Sequence, residues 1–356
     1  MKIVDRLKSE FRKSRKRRWN RLFDQPHVHK TQLALKSLKR IGKELTSIQN
    51  SQCEDYAREV LGSEAFAGWL KVYTCFQGEF KEGWIPDNYM GRVVGPDING
   101  ELVDLAQFKT LTRRILSTDS IPDLAYYIHQ SWIDTNGNSK NLSEVFELCY
   151  DQFSEVYLKG DFTFQGRGIT KLTKDEFLKF DFGQAGDFVI QAPIYQHAFF
   201  DDLSPKAVAT IRITTVKQWG EQAETRLCAL RVSRDSEQFI QSKKALRVPV
   251  FTESGELYHS AISPQWEIFE THPTTGARFD GLVLPKLQEM KSLCEMLHNS
   301  IPHLELIGWD VALDKNDEIK IMEWNTGHPG IVYSESTTGP HFKGLGWESL
   351  WKNSTS

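Results

Sequence analysis

The sequence predicts an α+β protein with a helical N-terminal region, and three observations lead to that fold class. Residues 1 to about 70 read as helices, with Thr31 to Leu61 mostly helix-favouring. β-branched or apolar runs at Val156–Lys159, Asp187–Ile194 and Thr210–Thr215 read as strands. Near the C-terminus, Ile307–Leu313 and Glu318–Trp324 are apolar-rich and partly alternating, and Asp314-Lys315-Asn316-Asp317 between them is turn chemistry, which makes a β-hairpin. The chain of 356 residues has room for a large core and two or three subdomains, with boundaries expected near 105 and 190.

The first element is strongly basic. Met1 to Arg21 carries ten Lys or Arg against two acids, including Arg15-Lys16-Arg17-Arg18, in a chain of formal net charge −3. Ile3, Leu7, Phe11 and Ser14 recur at helical spacing, so the stretch reads as an amphipathic helix. Nucleic acid, an anionic membrane surface or an acidic partner would each attract it; peripheral contact with anionic membrane is the expectation, and no nucleic-acid partner is expected. Trp84-Ile85-Pro86-Asp87-Asn88-Tyr89 then breaks the helical pattern, and a mixed α+β body follows. The five cysteines are scattered, odd in number and lack Cys-x-x-Cys spacing, which fits a reduced cytoplasm. No apolar run approaches the roughly 20 residues that span a bilayer, so neither secretion nor membrane insertion is expected.

The hairpin carries the chemistry. Whether its two-residue turn centres on Lys315-Asn316 or on Asn316-Asp317, side-chain parity puts Asp310, Glu323 and Asn325 on one face and Trp324 on the other, in the core. Two carboxylates nearly opposite each other repel unless a proton or cation lies between them. Asp, Glu and Asn, without His or Cys, are hard oxygen donors, and they favour magnesium sharing its shell with water and a phosphate. Arg212 stands at the centre of the β-branched run Thr210–Thr215; it is either an interior salt bridge or a guanidinium aimed at a transferring phosphoryl group and the carboxylate receiving it.

Gly308-Trp309-Asp310-Val311-Ala312, Met322-Glu323-Trp324-Asn325 and Pro329-Gly330 together resemble the C-terminal metal motif of the ATP-grasp superfamily, in the branch associated with sugar transfer. Residues matching that family run from about Lys109 to Gly330. The resemblance implies an ATP-grasp fold: two α+β subdomains clasping ATP, a smaller one over 106–190 and a larger one with the metal site over 191–356, after an N-terminal region over 1–105. ATP and Mg2+ are the implied cofactors, with Asp310, Glu323 and Asn325 on the metal. Lys109, opening an amphipathic helix, and Lys159, ending a strand, are the implied phosphate lysines. Gly160 to Gly168 is the implied phosphate loop, with Gly166, Arg167 and Gly168 against the nucleotide, although Phe162 and Phe164 are bulkier than the usual Ser/Gly composition. Gln191, Ala192 and Ile194 form the implied adenine hinge, Gln191 standing where the family often has Glu, and His197 follows at a distance suited to ribose. Other ATP-grasp ligases often place an Arg just before the metal Asp; here Gly308 and Trp309 stand there, and Arg212 takes the charge-stabilising role beside Lys159. His272-Pro273-Thr274-Thr275-Gly276 and Gly281–Pro285 would shape the second substrate's pocket, and Thr337 to Lys343 would form a rim or lid.

The expected activity is an ADP-forming carboxylate–amine ligase working through an acyl phosphate. The branch name suggests an amino acid or amine joined to a sugar acid in surface polysaccharide or capsule synthesis, at the cytoplasmic side of the membrane. Two other classes are an ATP-grasp sugar kinase and a non-catalytic nucleotide-binding scaffold of a glycan assembly complex. Two phosphate lysines kept beside a repelling acid pair argue against the scaffold.

Overall fold

The computed structural model describes residues 2–163, 168–235, 240 and 243–355, the side chains of 2–13, 16, 17, 354 and 355 excepted. Two compact units result: Met1–Gly100 with Gln265–Glu267 and Gly330–Ser356, and Glu101–Pro264 with Ile268–Pro329. Among the described residues no helix is long and apolar enough to cross a membrane. All five cysteines are free and buried.

The first unit is helical, as the N-terminal composition predicts. Helix α1 runs Lys2–Arg40, and the apolar positions Ile3, Leu7 and Phe11 lie outside the described side chains. Helix α2, Ser47–Glu59, starts on a capping box in which Thr46 and Gln49 satisfy each other's backbone N–H. Helix α3, Ala67–Gln77, stops at Gly78, whose φ of 85° is left-handed. Trp84 to Met90 is a buried run: the Trp84 indole donates to the Glu335 carbonyl at 2.9 Å, and the Tyr89 hydroxyl to the Trp347 carbonyl at 2.9 Å. The C-terminal stretch belongs to this unit and not to the larger subdomain expected from sequence. Its helix Val332–Thr337 packs on α3, and Phe342 is fully buried, stacked on Trp347. The expected rim is therefore partly core: Thr337, Gly339 and Phe342 are buried, and Lys343 is exposed.

Glu335 is fully buried in that helix, receiving the backbone N–H of His341 at 2.8 Å and of Ile85 at 3.4 Å. Burial pushes its carboxyl up to about 8, against the smaller opposing effect of those two amides. The native state then holds a proton that the unfolded chain, titrating near 4.5, releases. Stability from this group is complete below about pH 4.5 and is lost as pH rises toward 8, with a slope of about 1.4 kcal/mol per pH unit. Thermal melts between pH 5 and 8 should show this fall in wild type and lose it in Glu335→Gln, which mimics the neutral acid.

The second unit holds two antiparallel sheets. Strands β1 (Asp123–Ile128), β2 (Ser131–Asp134), β3 (Ser139–Lys140), β4 (Glu155–Gly160), β5 (Ile169–Thr173) and β6 (Phe188–Gln191) form a sheet of order β3-β2-β1-β6-β4-β5. Its core is aromatic, with Trp132, Phe177, Phe182 and Phe188 closed by Val145 and Cys149 of the helix Leu142–Tyr150. β6 is shorter than the expected Asp187–Ile194, because Pro193 has no N–H to continue the ladder.

Strands β7 (Thr210–Val216), β8 (Glu224–Val232), β9 (Leu246–Val250), β10 (Ala261–Ile262), β11 (Ile268–Phe269), β12 (Leu306–Leu313) and β13 (Ile319–Asn325) form the other, of order β11-β10-β9-β8-β7-β12-β13. One face packs Ile211, Ile213, Trp309, Val311, Ile321 and Trp324 into a core shared with the helix Leu287–Asn299. Trp324 lies there as parity predicts. Trp309 donates to the Thr215 hydroxyl at 2.9 Å, and His298, pulled down to about 4 by burial, sits 2.7 Å from the same oxygen as a neutral ring.

Candidate active site

The β12–β13 hairpin differs from expectation at its turn. Asp314 N–H donates to Glu318 O, so the loop has three residues, Lys315 to Asp317, with Asp317 left-handed at φ 62°. Left alone, that turn would set Met322 opposite Asp310. A bulge between Asp310 and Val311 shifts the register by one and makes Met322 the extra residue, so Glu323 faces Asp310 and Asn325 faces Gly308. The expected face is recovered by a route the sequence did not reveal.

The row continues into β7, where Arg212 lies opposite Asp310. Arg212 is buried and grips Asp310 as a fork, Nε to Oδ1 at 2.7 Å and Nη2 to Oδ2 at 2.9 Å, while Nη1 donates to the Pro329 carbonyl. Gly308 makes room for it: a Cβ there would sit 3.1 Å from Arg212 Nη1 and 3.2 Å from Pro329 Cα. The arginine entering from β7 thus fills the space over Gly308. Arg231 of β8 approaches the same carboxylate at 3.4 Å. Burial would raise the Asp310 carboxyl, but the two guanidiniums hold it below the ordinary aspartate value.

Two lysines reach the row from elsewhere in this unit. Lys109 opens the helix Lys109–Leu116; its ammonium donates to the Thr163 carbonyl at 2.7 Å and stands 3.8 Å from Glu323 Oε1. Lys159, near the end of β4, donates to the carbonyl of the bulge residue Met322 at 3.4 Å. Burial pushes the Lys159 ammonium down, while Glu323, Asp123 and Asp310 pull it back up and Lys109 opposes them. For Glu323 the order is burial and then Asp310, both raising it, against Lys109 and Lys159. The structure therefore brings Lys109, Lys159, Arg212, Asp310 and Glu323 into one charge cluster.

The loop that follows Lys159 is tied down at its start. Thr110 donates through N–H and hydroxyl to Asp161 at 3.0 and 2.8 Å, and Phe162 N–H donates to the Gln107 carbonyl at 3.0 Å. Phe162 itself is 56 % exposed at φ 56°, its ring edge-on to Phe108. Gly166 and Arg167 lie outside the described residues. Gly168, at φ 77°, closes against Thr163, where a Cβ would meet Thr163 Cγ2 at 2.5 Å.

Gln191 is buried at the end of β6, and its amide nitrogen donates to Asp123 Oδ1 at 2.7 Å; Tyr126 donates to Oδ2 at 2.8 Å. A glutamate at 191 would set a second buried carboxylate directly against Asp123, whereas glutamine supplies a donor. With the amide nitrogen spent on Asp123, Gln191 presents its carbonyl oxygen as an acceptor. Ala192 N–H is already bonded to the Pro122 carbonyl at 2.8 Å, so the free hinge amide is not that of Ala192; Ile194 beyond it is half-buried. His197 caps a short turn, its Nδ1 accepting from Phe199 N–H at 3.0 Å and its Nε2 standing 3.3 Å from Asp317. The His272 turn is a brace: His272 Nε2 bonds the Ser233 carbonyl at 2.7 Å, and Thr274 and Thr275 donate to the carbonyls of Arg234 and Asp202.

Repulsion between the hairpin acids does not by itself require a metal, because Arg212 and Arg231 neutralise Asp310 and Lys109 stands by Glu323. Among the described residues no three His, Cys, Asp or Glu side chains cluster for a metal ion; the candidate set is two carboxylates and an amide. It still fits a hard cation. Of the roughly four lone-pair sites of a carboxylate, Arg212 and Arg231 use three on Asp310. Glu323 keeps a half-exposed carboxylate, and Asn325 uses only its nitrogen, toward the Gly308 carbonyl at 3.4 Å.

Sequence reasoning missed Asp123 and Arg231. The signal that singled out Arg212, an arginine inside an apolar strand, also marks Arg231 between Leu230 and Val232. Asp123 had no such mark, since only the β1–β6 pairing puts it opposite Gln191.

No curated protein matches the chain. Solved structures similar to it include the biotin carboxylase domain of Hydrogenobacter thermophilus 2-oxoglutarate carboxylase with MgADP, ADP and bicarbonate, at 11 % identity over 70 % of this chain and 46 % of that one, TM-score 0.43. N5-carboxyaminoimidazole ribonucleotide synthetase from Thermotoga maritima is 10 % identical over 62 % and 42 %, TM-score 0.35, and the D-alanine-D-alanine ligase from Coxiella burnetii 11 % over 70 % and 59 %, TM-score 0.38. The chain spans about half the length of these proteins. Residues 178–343, which hold Arg212 and the whole β12–β13 hairpin, match the family model of the sugar-transfer associated ATP-grasp proteins, the branch that the sequence motifs resemble.

Proposed function

We propose that this chain is an ATP-dependent, ADP-forming ligase that activates a carboxylate as its acyl phosphate and passes it to an amine, with a sugar acid joined to an amino acid or amine in surface polysaccharide synthesis as the reaction. The observation that carries the reading is the convergence of Lys109, Lys159 and Arg212 on the Asp310–Glu323 row. Four cationic groups, counting Arg231, around two acids leave a positive excess suited to transferring phosphoryl oxygens.

Each residue has a task. Lys109 and Lys159 neutralise the terminal phosphates of ATP. Arg212, held rigid by Asp310, stabilises charge on the phosphoryl group and the acid that attacks it. Gln191, oriented by Asp123, accepts from the adenine amino group; Ile194 completes the hinge, and His197 lies toward the ribose. Gly166, Arg167 and Gly168 are assigned to the phosphates on the sequence motif, Gly166 and Arg167 lying outside the described residues. Magnesium would be held by Asp310, Glu323 and Asn325 and would supply neutralisation of phosphate charge. A screen of sugar acids crossed with amines, read as ADP release and product mass, tests the reading. An amide product with free phosphate supports it; a persistent phosphosugar indicates a kinase, and no ADP with any pair indicates a scaffold.

The hinge gives a separate test. Gln191→Glu should weaken ATP binding and lower stability by about 1.5–3 kcal/mol, the cost of replacing a hydrogen bond to a buried carboxylate with a like charge. Adding Asp123→Asn, which restores a donor opposite the new carboxylate, should recover most of both losses in calorimetry and thermal melts.

A further inference from the structure

The N-terminal unit carries a groove of about 770 Å³, within the roughly 300–1,000 Å³ of small-ligand clefts, between α1 and the segment Leu61–Phe66. Its apolar lining comes from Trp19, Val28, Leu61, Phe66 and Trp351. Trp19, Val28 and the neighbouring Leu22 are 51 %, 48 % and 57 % exposed. The same part of α1 presents Arg15, Arg18 and Arg21, all exposed. The first acid after them, Asp24, is buried and spent: it pairs with Arg92 and accepts from the Asn88 amide at 3.0 Å. The Arg92 guanidinium lies over the Phe66 ring at 4.2 Å, on the wall of the groove.

We propose that this groove takes the acyl chain of an anionic phospholipid while Arg15, Arg18 and Arg21 hold phosphate headgroups, seating the N-terminal unit on a membrane surface. The inference does not rest on the ligase reading. Exposed Trp19 and Leu22 stand on the same side of α1 as Arg15 and Arg18, so an indole at headgroup depth and guanidiniums on lipid phosphates can be reached together. A second copy of this chain is a poorer occupant, because pairing the same face would bring like guanidiniums together. An acidic peptide would answer the charge and leave the apolar groove unfilled.

The test uses the full chain with vesicles of phosphatidylglycerol and phosphatidylcholine, against phosphatidylcholine alone. Flotation should require phosphatidylglycerol, and lipids brominated in the acyl chain should quench tryptophan, less so in Trp19→Phe. Reversing Arg15, Arg18 and Arg21 to Glu should weaken binding on the order of a hundredfold. Val28→Glu, at an exposed helical position, should abolish the quenching, with an unchanged melting temperature and far-ultraviolet circular dichroism as controls for folding. Binding that ignores lipid charge, that survives the triple reversal, that polyglutamate prevents as effectively in Val28→Glu as in wild type, or that gives no quenching by brominated chains would overturn the proposal. So would a stable dimer in solution that blocks flotation.

Discussion

Asp310→Asn should destabilise the protein by about 3–5 kcal/mol, the cost of removing one member of a buried ion pair. The carboxylate carries the forked bond from Arg212 and the approach of Arg231, so the neutral amide leaves two guanidiniums short of a counter-charge. Chemical denaturation would read the loss directly, and a change under about 1 kcal/mol would place the pair among weak surface bridges. Combining Asp310→Leu with Arg212→Met should recover part of the stability, since well-packed apolar pairs often replace buried ion pairs without loss. The pH dependence follows in sign. Because the two arginines hold the Asp310 carboxyl below its unfolded value of 3.8, its contribution is present above that pH and disappears as pH falls through the lowered native value. Acid titration should lose that increment in wild type and show none in the asparagine variant.

Glu323→Gln should behave in the opposite way, keeping the fold and losing ATP turnover by on the order of a hundredfold or more, as for groups that manage charge at a reacting centre. Its side chain is 38 % exposed, and among the described residues its ion-pair partner is Lys109, which stands 3.8 Å away and also donates to the Thr163 carbonyl, so little structure depends on it. Stopped-time ADP release beside a thermal melt would separate the two variants: Asp310→Asn fails in both, Glu323→Gln in activity alone. Near-native turnover in Glu323→Gln would remove the site. Lys159→Ala tests the other side of the cluster, and its effect on ATP affinity should exceed its effect on stability, because among the described residues its ammonium makes one long hydrogen bond, to the Met322 carbonyl at 3.4 Å, and no close ion pair.

The hairpin illustrates how much was legible beforehand. Alternation gave two strands, parity gave the shared face of Asp310, Glu323 and Asn325, and Trp324 was assigned to the core, where it lies. The turn was misread by one residue, and a bulge at Met322 cancelled the error. Neither feature has a local signature here: Asp317 takes a left-handed φ without being glycine, and a bulge depends on what the partner strand requires. The C-terminal tail was misplaced for a related reason. Thr337 to Lys343 reads as a rim or lid, yet Phe342 within it is fully buried, stacked on Trp347, and the helix before it packs on α3.

Composition and periodicity alone determined the class of elements, the basic first helix, and which side chains share a face of each strand, because those follow from backbone geometry repeated every two or 3.6 residues. Only the tertiary structure decided which charge answers which. That Arg212 and Arg231 neutralise Asp310, that Lys109 and Lys159 close on Glu323 and Met322, and that Asp123 fixes the Gln191 amide are matters of pairing between segments from about 70 to 210 residues apart. Electrostatic partners are chosen by distance in space, and a linear pattern carries that distance only where the chain folds straight back on itself.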